Sequence, residues 1–310
     1  MIGIDVGGAN VKVVDDRGAH IHYCPLWKGA PLADLIRQYR VSGENAAVVM
    51  SGELADCFND KAEGIRFIVD VVRSVFPDAV FYGTDGRFHD RAVPGLAAAN
   101  WLASADLLRD RYPGAVFVDI GSTTTDIIPL GNFGALKGLT DLLRLQKGYL
   151  IYTGMLRTNV SCMVRSVSLE GVPTPVSSEY FACSADVHLV LGHILPKDYT
   201  IDTPDGGNRD VGAALRRLAR VVCADLDEIG REGATRIARE FWDQQRELVC
   251  SGIRNACSQS GEGPVVCAGI GGNLFARVPG GIDLSTDLGT VSDALPAYAV
   301  REVWIRDHSS

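Results

Sequence analysis

Residues Ile4-Asp5-Val6-Gly7-Gly8-Ala9-Asn10-Val11 align without a gap with Val118-Asp119-Ile120-Gly121-Ser122-Thr123-Thr124-Thr125. An internal repeat of this kind constrains the fold more than any single motif. In both copies an apolar strand delivers an aspartate, a glycine-bearing tight turn follows, and a β-rich strand returns. Glycine lets backbone approach a ligand closely, and turn N–H groups can converge on an anion. The aspartate would repel a phosphate directly, yet it can hold Mg²⁺ or its water shell against one. One copy alone is also what an ordinary glycine-turned hairpin looks like. Two copies, each opening its own half of the chain, favour a pair of phosphate hairpins. With 310 residues, two domains are expected, 1–115 and 116–310, each able to bury its own core.

The intervening pattern is that of an α/β protein. Ile65, Ile68, Val69, Val72, Val75 and Phe76 recur at helical spacing and predict a helix over roughly 60–76, with a buried strand over 78–82. Trp101, Ala105, Leu108 and Tyr112 anchor a second helix that Pro113-Gly114 stops. Residues 115–119 read as a strand, the turn follows, and a return strand runs to Pro129. Helices are predicted over 210–225 and 228–257, and a strand over 263–268. Residues 137–210, rich in Gly, Pro, Ser and Thr, are expected to form a substrate-facing excursion of the second domain.

Charge narrows the partners. The chain carries 38 acids against 30 bases, a net charge of −8, and no concentrated basic face, so nucleic-acid binding is not expected. No apolar run is long enough to span a bilayer and the chain opens without a basic leader, which points to a cytoplasmic protein with no membrane partner. Eight cysteines without a CxxC pair indicate neither a disulfide framework nor a zinc site, and Cys223, Cys250 and Cys267 read as core packing. His188 and His193 stand five apart, off the spacing that would place a metal pair on one helical face.

A third glycine cluster, Val265-Val266-Cys267-Ala268-Gly269-Ile270-Gly271-Gly272-Asn273, runs from a strand into a GxGG turn. The three clusters in this order resemble the actin-like ATPase superfamily of sugar and acetate kinases and Hsp70. That resemblance implies two RNase-H-like domains around a central cleft, with the hairpins as phosphate loops and the third turn beside adenosine. Residues 3–12, 118–126 and 268–273 should then converge on one cleft. Further stretches resemble one branch, the archaeal hydantoinase/oxoprolinase-related proteins grouped with tetrahydromethanopterin-linked C1 transfer. They are Gly83-Thr84-Asp85-Gly86-Arg87-Phe88, Ala98-Ala99-Asn100-Trp101-Leu102-Ala103, Asp119 through Pro129, and Tyr152-Thr153-Gly154-Met155-Leu156-Arg157-Thr158-Asn159-Val160. Ala185-Asp186-Val187, Thr203-Pro204-Asp205-Gly206 and Asp293 through Val300 agree as well.

The resemblance implies a transferase of methanofuran biosynthesis that condenses 5-(aminomethyl)-3-furanmethanol diphosphate with γ-glutamyltyramine, forming an aryl ether and releasing diphosphate. On that reading Gly7, Gly8, Ala9, Asn10, Gly121, Ser122, Thr123, Thr124, Thr125 and the turn of Gly269, Gly271, Gly272 and Asn273 contact diphosphate or nucleotide. Lys12 joins them. Asp5 and Asp119 hold Mg²⁺, Asp126 or Asp205 accepts the phenol proton, and Tyr152, Arg157, Thr158 and Asn159 meet the acceptor. Whether ATP binds stays open, and a homodimer is compatible with the pattern. The same loops also suit an ATP-dependent small-molecule kinase, a hydantoinase/oxoprolinase-type amide hydrolase, or a non-catalytic nucleotide-binding scaffold.

Overall fold

The computed structural model describes residues 1–41, 44–261, 263–277 and 280–309. The first repeat copy forms β1 (Ile2–Val6) and β2 (Asn10–Asp15), continued by β3 (Gly18–Tyr23), β4 (Ala46–Met50), β5 (Val80–Tyr82) and a short edge strand, β6 (Phe88–His89). Their order is β3-β2-β1-β4-β5-β6. β1 runs antiparallel to β2 and parallel to β4. Every residue of β1 and β4 is buried, as expected of parallel neighbours covered on both faces.

The second copy repeats this plan with β7 (Val116–Ile120), β8 (Thr125–Pro129) and β9 (Leu150–Ile151). A separate hairpin, β10 (Ser166–Leu169) and β11 (Val172–Pro175), precedes β12 (Val265–Ala268) and β13 (Gly281–Asp283). The sheet order β13-β12-β7-β8-β9 is the first sheet's order read from the other end. In both, the first three strands are antiparallel and the next two join in parallel, and the first sheet adds β6 antiparallel to β5 at its edge. Two RNase-H-like halves are therefore present.

Helices cover the sheets where the periodicity predicts. Lys61–Val75 starts at Asp60, whose carboxylate accepts the Glu63 N–H at 2.8 Å, and it buries Ile65, Ile68, Val69 and Val72. Leu226–Ser260 covers β7 and β8 and bends at Gly230, whose φ is 66°. No described helix is long and apolar enough to cross a membrane.

The halves are less independent than the sequence suggests. Helix Leu295–His308 leaves the second half and packs on β1, β4 and helix Asn100–Arg111. Trp101, Leu102, Val300 and Val303 thereby form an apolar layer with Val49 of one sheet and Phe117 and Val266 of the other. The boundary at 115/116 thus separates the sheets but not the C-terminal helix. The stretch 137–210 also departs from its expected role. Its first part, through Arg157, lines the space between the halves and Asp202 near its end reaches Lys28, whereas Val160, Val167 and Val187 pack with Leu215, Ile237 and Phe241 as a separate cluster. Cys267 is buried and Cys250 half-buried, but Cys223 is exposed. It occupies a left-handed position, φ 59°, after helix Val211–Arg220, which turns its thiol away from the core.

Candidate active site

Between the halves lies a cavity of about 740 Å³. Gly7, Gly8, Ala9 and Asn10 line it from the β1–β2 turn, and Gly121, Ser122, Thr123 and Thr124 from the β7–β8 turn. The strands bring Asp5 opposite Lys12 and Asp119 opposite Asp126 in matching registers, and all four line the same cavity. The repeat thus places an acid with a base in one half and two acids in the other.

Withdrawal from water dominates the electrostatics. Burial pushes Asp5 up to about 6, with Lys12 opposing and Asp126 adding to the shift. Burial likewise pushes half-buried Asp119 up to about 7, against Lys12 and with help from Asp126 and Asp5. Asp5 Oδ1 is buried without a hydrogen-bond partner. Such an orphaned carboxylate oxygen suits a cation, so the donor set fits Mg²⁺ held by two carboxylates with water and phosphate oxygens completing its shell. No cluster of three or more metal-ligating side chains occurs among the described residues. Asp126 is also raised by burial, and Arg144 opposes the rise through a direct ion pair.

The remaining wall brings the expected Tyr152 and Arg157 together with residues the motifs did not single out, Trp27, Glu53 and Arg144 among them. Arg144 also pairs with Asp141 at 2.8 Å and lies 4.4 Å from the Trp101 ring centroid. Arg157 stacks 5.0 Å over Trp27, which belongs to the 3-10 turn Leu26–Lys28, and Lys28 meets Asp202 at 2.7 Å. These contacts tie the two halves together beside the cavity. Exposed Leu54, Leu142, Leu145 and Tyr152 form its apolar mouth. Glu53, Lys61, Ala98 and Asn100 also line it. Glu53 had a readable signal, since it follows a fully apolar strand and a Ser51-Gly52 turn much as Asp5 precedes one. Arg144 and Trp27 had none, because only the tertiary fold brings them there.

Several expected contacts are corrected. Thr125 is buried and its hydroxyl donates to the Thr153 carbonyl at 2.8 Å, so it closes the hairpin instead of facing a ligand. Thr158 and Asn159 do not line the cavity. The Thr158 hydroxyl accepts the Gly154 N–H at 3.1 Å, and Asn159 caps helix Val160–Met163 by accepting the Ser161 N–H. Asp205 lies elsewhere, paired with Arg217 at 3.1 Å and Arg220 at 3.0 Å, and is not a base for this cavity. Gly269, Gly271, Gly272 and Asn273 do not line the cavity, and Gly269 and Gly271 pack against β7 of the second hairpin. A Cβ on Gly269, φ 78°, would lie 2.4 Å from Asp119 Oδ1, and the Gly271 N–H donates to Ile120 O at 3.1 Å. Close packing on β7 accounts for Gly269 and Gly271. His188 and His193, despite their spacing, do meet, with Nδ1 atoms 3.0 Å apart.

The sequence profile of the hydantoinase/oxoprolinase family matches residues 44–289. The chain belongs to that family. A relative from Methanocaldococcus jannaschii is 34% identical over 319 aligned positions, covering 98% of this family member and 97% of the relative. It is named (4-{4-[2-(gamma-L-glutamylamino)ethyl]phenoxymethyl}furan-2-yl)methanamine synthase. A relative of the same name from Methanococcus vannielii is 35% identical over 177 positions, 57% of this chain and 80% of that one. Among solved structures, nucleotide-free acetone carboxylase aligns at 13% identity and a TM-score of 0.46, covering 89% of this chain and 46% of that one. A non-polymerising MamK mutant bound to AMPPNP aligns at 14% identity and a TM-score of 0.38, over 100% and 98% of the two chains. The hydantoinase/oxoprolinase profile begins after the β1–β2 hairpin, so Asp5 and Lys12 lie outside it, whereas the M. jannaschii alignment spans nearly the whole chain.

Proposed function

We propose that this chain is an alkyl transferase that joins 5-(aminomethyl)-3-furanmethanol diphosphate to the phenol oxygen of γ-glutamyltyramine. The furfuryl C–O bond to diphosphate breaks, the phenol oxygen forms the new C–O bond, and the phenolic proton passes to a base. The observation that carries this reading is the alignment with the M. jannaschii synthase over 98% of this chain and 97% of that one. A cavity built from two phosphate-type turns supports it.

Each side chain has a task in that reaction. Turn N–H groups of Gly7, Gly8, Gly121 and Ser122, with Lys12 and the Thr123 and Thr124 hydroxyls, grip the diphosphate and stabilise its charge as it leaves. Asp5 and Asp119 would hold Mg²⁺, which supplies further neutralisation of the leaving group. Electron donation from the furan stabilises positive charge at the reacting carbon, so positioning the phenol is the protein's other task. The apolar mouth of Leu54, Leu142, Leu145 and Tyr152 suits the phenyl ring. Arg157, fixed over Trp27, suits the acceptor carboxylate with its planar fork. Asp126 accepts the phenolic proton while Arg144 orients it.

The proposed reaction consumes no nucleotide, and the packing of Gly269 and Gly271 of the third glycine turn on β7 supports that reading. Incubation with both substrates and Mg²⁺, without ATP, should yield the ether and one diphosphate by mass spectrometry. Ether formation only when ATP is supplied, with ADP as coproduct, would overturn the reading.

A further inference from the structure

Glu53 lies on the cavity wall with only 2% of its surface exposed, and its Oε2 is buried without a hydrogen-bond partner. Lys61 lines the same cavity and its charge reaches Glu53, yet the two form no ion pair among the described residues. Backbone N–H groups and the Lys61 charge offset its desolvation only in part, since burial still pushes the Glu53 carboxyl up and Oε2 keeps no partner. An acid placed this way is unfavourable for folding alone. The chain nevertheless holds it rigidly. Gly64, in the first turn of helix Lys61–Val75, packs against the Glu53 backbone so closely that a Cβ there would lie 2.0 Å from the Glu53 carbonyl oxygen. Ala98 adopts a left-handed backbone, φ 47°, on the same wall, a conformation that costs free energy in a non-glycine residue.

We propose that Glu53 is the binding site for a primary ammonium group, that of the aminomethyl arm on the diphosphate donor. The proposal rests on the alkyl-transfer reading for the donor's identity. Its placement comes from the fold. Glu53 follows Ser51 and Gly52, whose N–H groups both donate to Val6 O at the foot of the first phosphate turn, and Gly52 abuts Gly7. A donor whose diphosphate occupies that turn would thus have this loop as its neighbour. Arg157, stacked on Trp27, lines the same cavity, so the cavity offers a cation for an acceptor carboxylate as well as an anion for a donor amine. The product named for the relatives keeps a free methanamine on the furan, so a carboxylate that reads this group would select the donor without taking part in its chemistry.

Glu53→Gln keeps the shape and removes the charge. A charge-assisted contact shielded from water corresponds to roughly a ten- to hundredfold change in affinity. KM for the aminomethyl donor should rise by about that factor, while 3-furanmethanol diphosphate, which lacks the amine, should be used equally by both proteins. Furfurylamine should bind the parent protein in calorimetry and not the variant, a readout independent of turnover. N-glutaryltyramine, an acceptor without its α-amine, should leave the donor effect unchanged. The variant's Tm should equal or exceed the parent's. Equal losses with both donors, furfurylamine binding to neither protein or to both, or a penalty that follows the acceptor amine would overturn the proposal. Failure of the parent to make ether, with furfurylamine binding still dependent on Glu53, would instead count against the reaction and leave the ammonium site standing.

Discussion

At the scale of single residues, the cavity keeps carboxylates where water cannot solvate them fully. Asp5 and Asp119 are raised to about 6 and about 7, so each binds its proton more tightly folded than unfolded. Their contribution to stability is then complete below the ordinary carboxylate value of about 3.9 and is lost as pH rises through 6 to 7. In metal-free protein, Tm at pH 5 should exceed Tm at pH 8 by a margin that shrinks in Asp119→Asn. A margin unchanged by that substitution would contradict the burial argument. Activity should respond in the opposite direction. Removing either aspartate should lower turnover at least ~10²–10³-fold, the range for loss of one strong electrostatic contact in a transition state. Arg157→Ala should raise the KM for γ-glutamyltyramine about ten- to hundredfold. It should leave the donor's KM unchanged and weaken tyramine, which has no carboxylate, much less.

At the scale of elements, the β-hairpin is the working unit, and its two faces divide the labour. In the second hairpin, Thr123 and Thr124 face the cavity while Thr125 turns inward to the Thr153 carbonyl. Thr125→Val should therefore cost about 1–3 kcal/mol of stability, because that carbonyl loses its partner in a buried site. KM for the donor should hardly move, whereas Thr124→Val should move KM more than Tm. The reverse pattern in melting and kinetics would show that Thr125 contacts the ligand. The sequence revealed both hairpins and most helices because alternation and helical spacing are local signals. It could not tell Thr124 from Thr125, since a turn's exit register decides which hydroxyl points inward. Nor could it separate glycines that admit a ligand from Gly269 and Gly271, which admit β7. Thr158, Asn159 and Asp205 stood in family-like stretches and are held by Gly154, Ser161, Arg217 and Arg220, partners distant enough, or local enough, that motif matching does not reveal the pairing.

For the whole molecule, duplication made the architecture legible and also hid how the halves join. Each copy rebuilds the same five-strand order, so a short alignment of Asp5 with Asp119 fixes where the two turns must meet. The return of helix Leu295–His308 to the first sheet has no local signature, and neither does the pairing of Trp27 with Arg157. Those cross-half contacts hold both glycine turns and the Arg157 wall around one cavity, as the proposed transfer between two bound substrates requires. In the proposed reaction the donor's diphosphate leaves and the acceptor keeps its oxygen. γ-Glutamyltyramine labelled with ¹⁸O at the phenol tests this directly when it is incubated with the furan diphosphate and Mg²⁺ in the absence of nucleotide. Mass spectrometry should find the label wholly in the ether and none in the released diphosphate. An unlabelled ether, or acceptor recovered phosphorylated with no ether formed, would contradict the account.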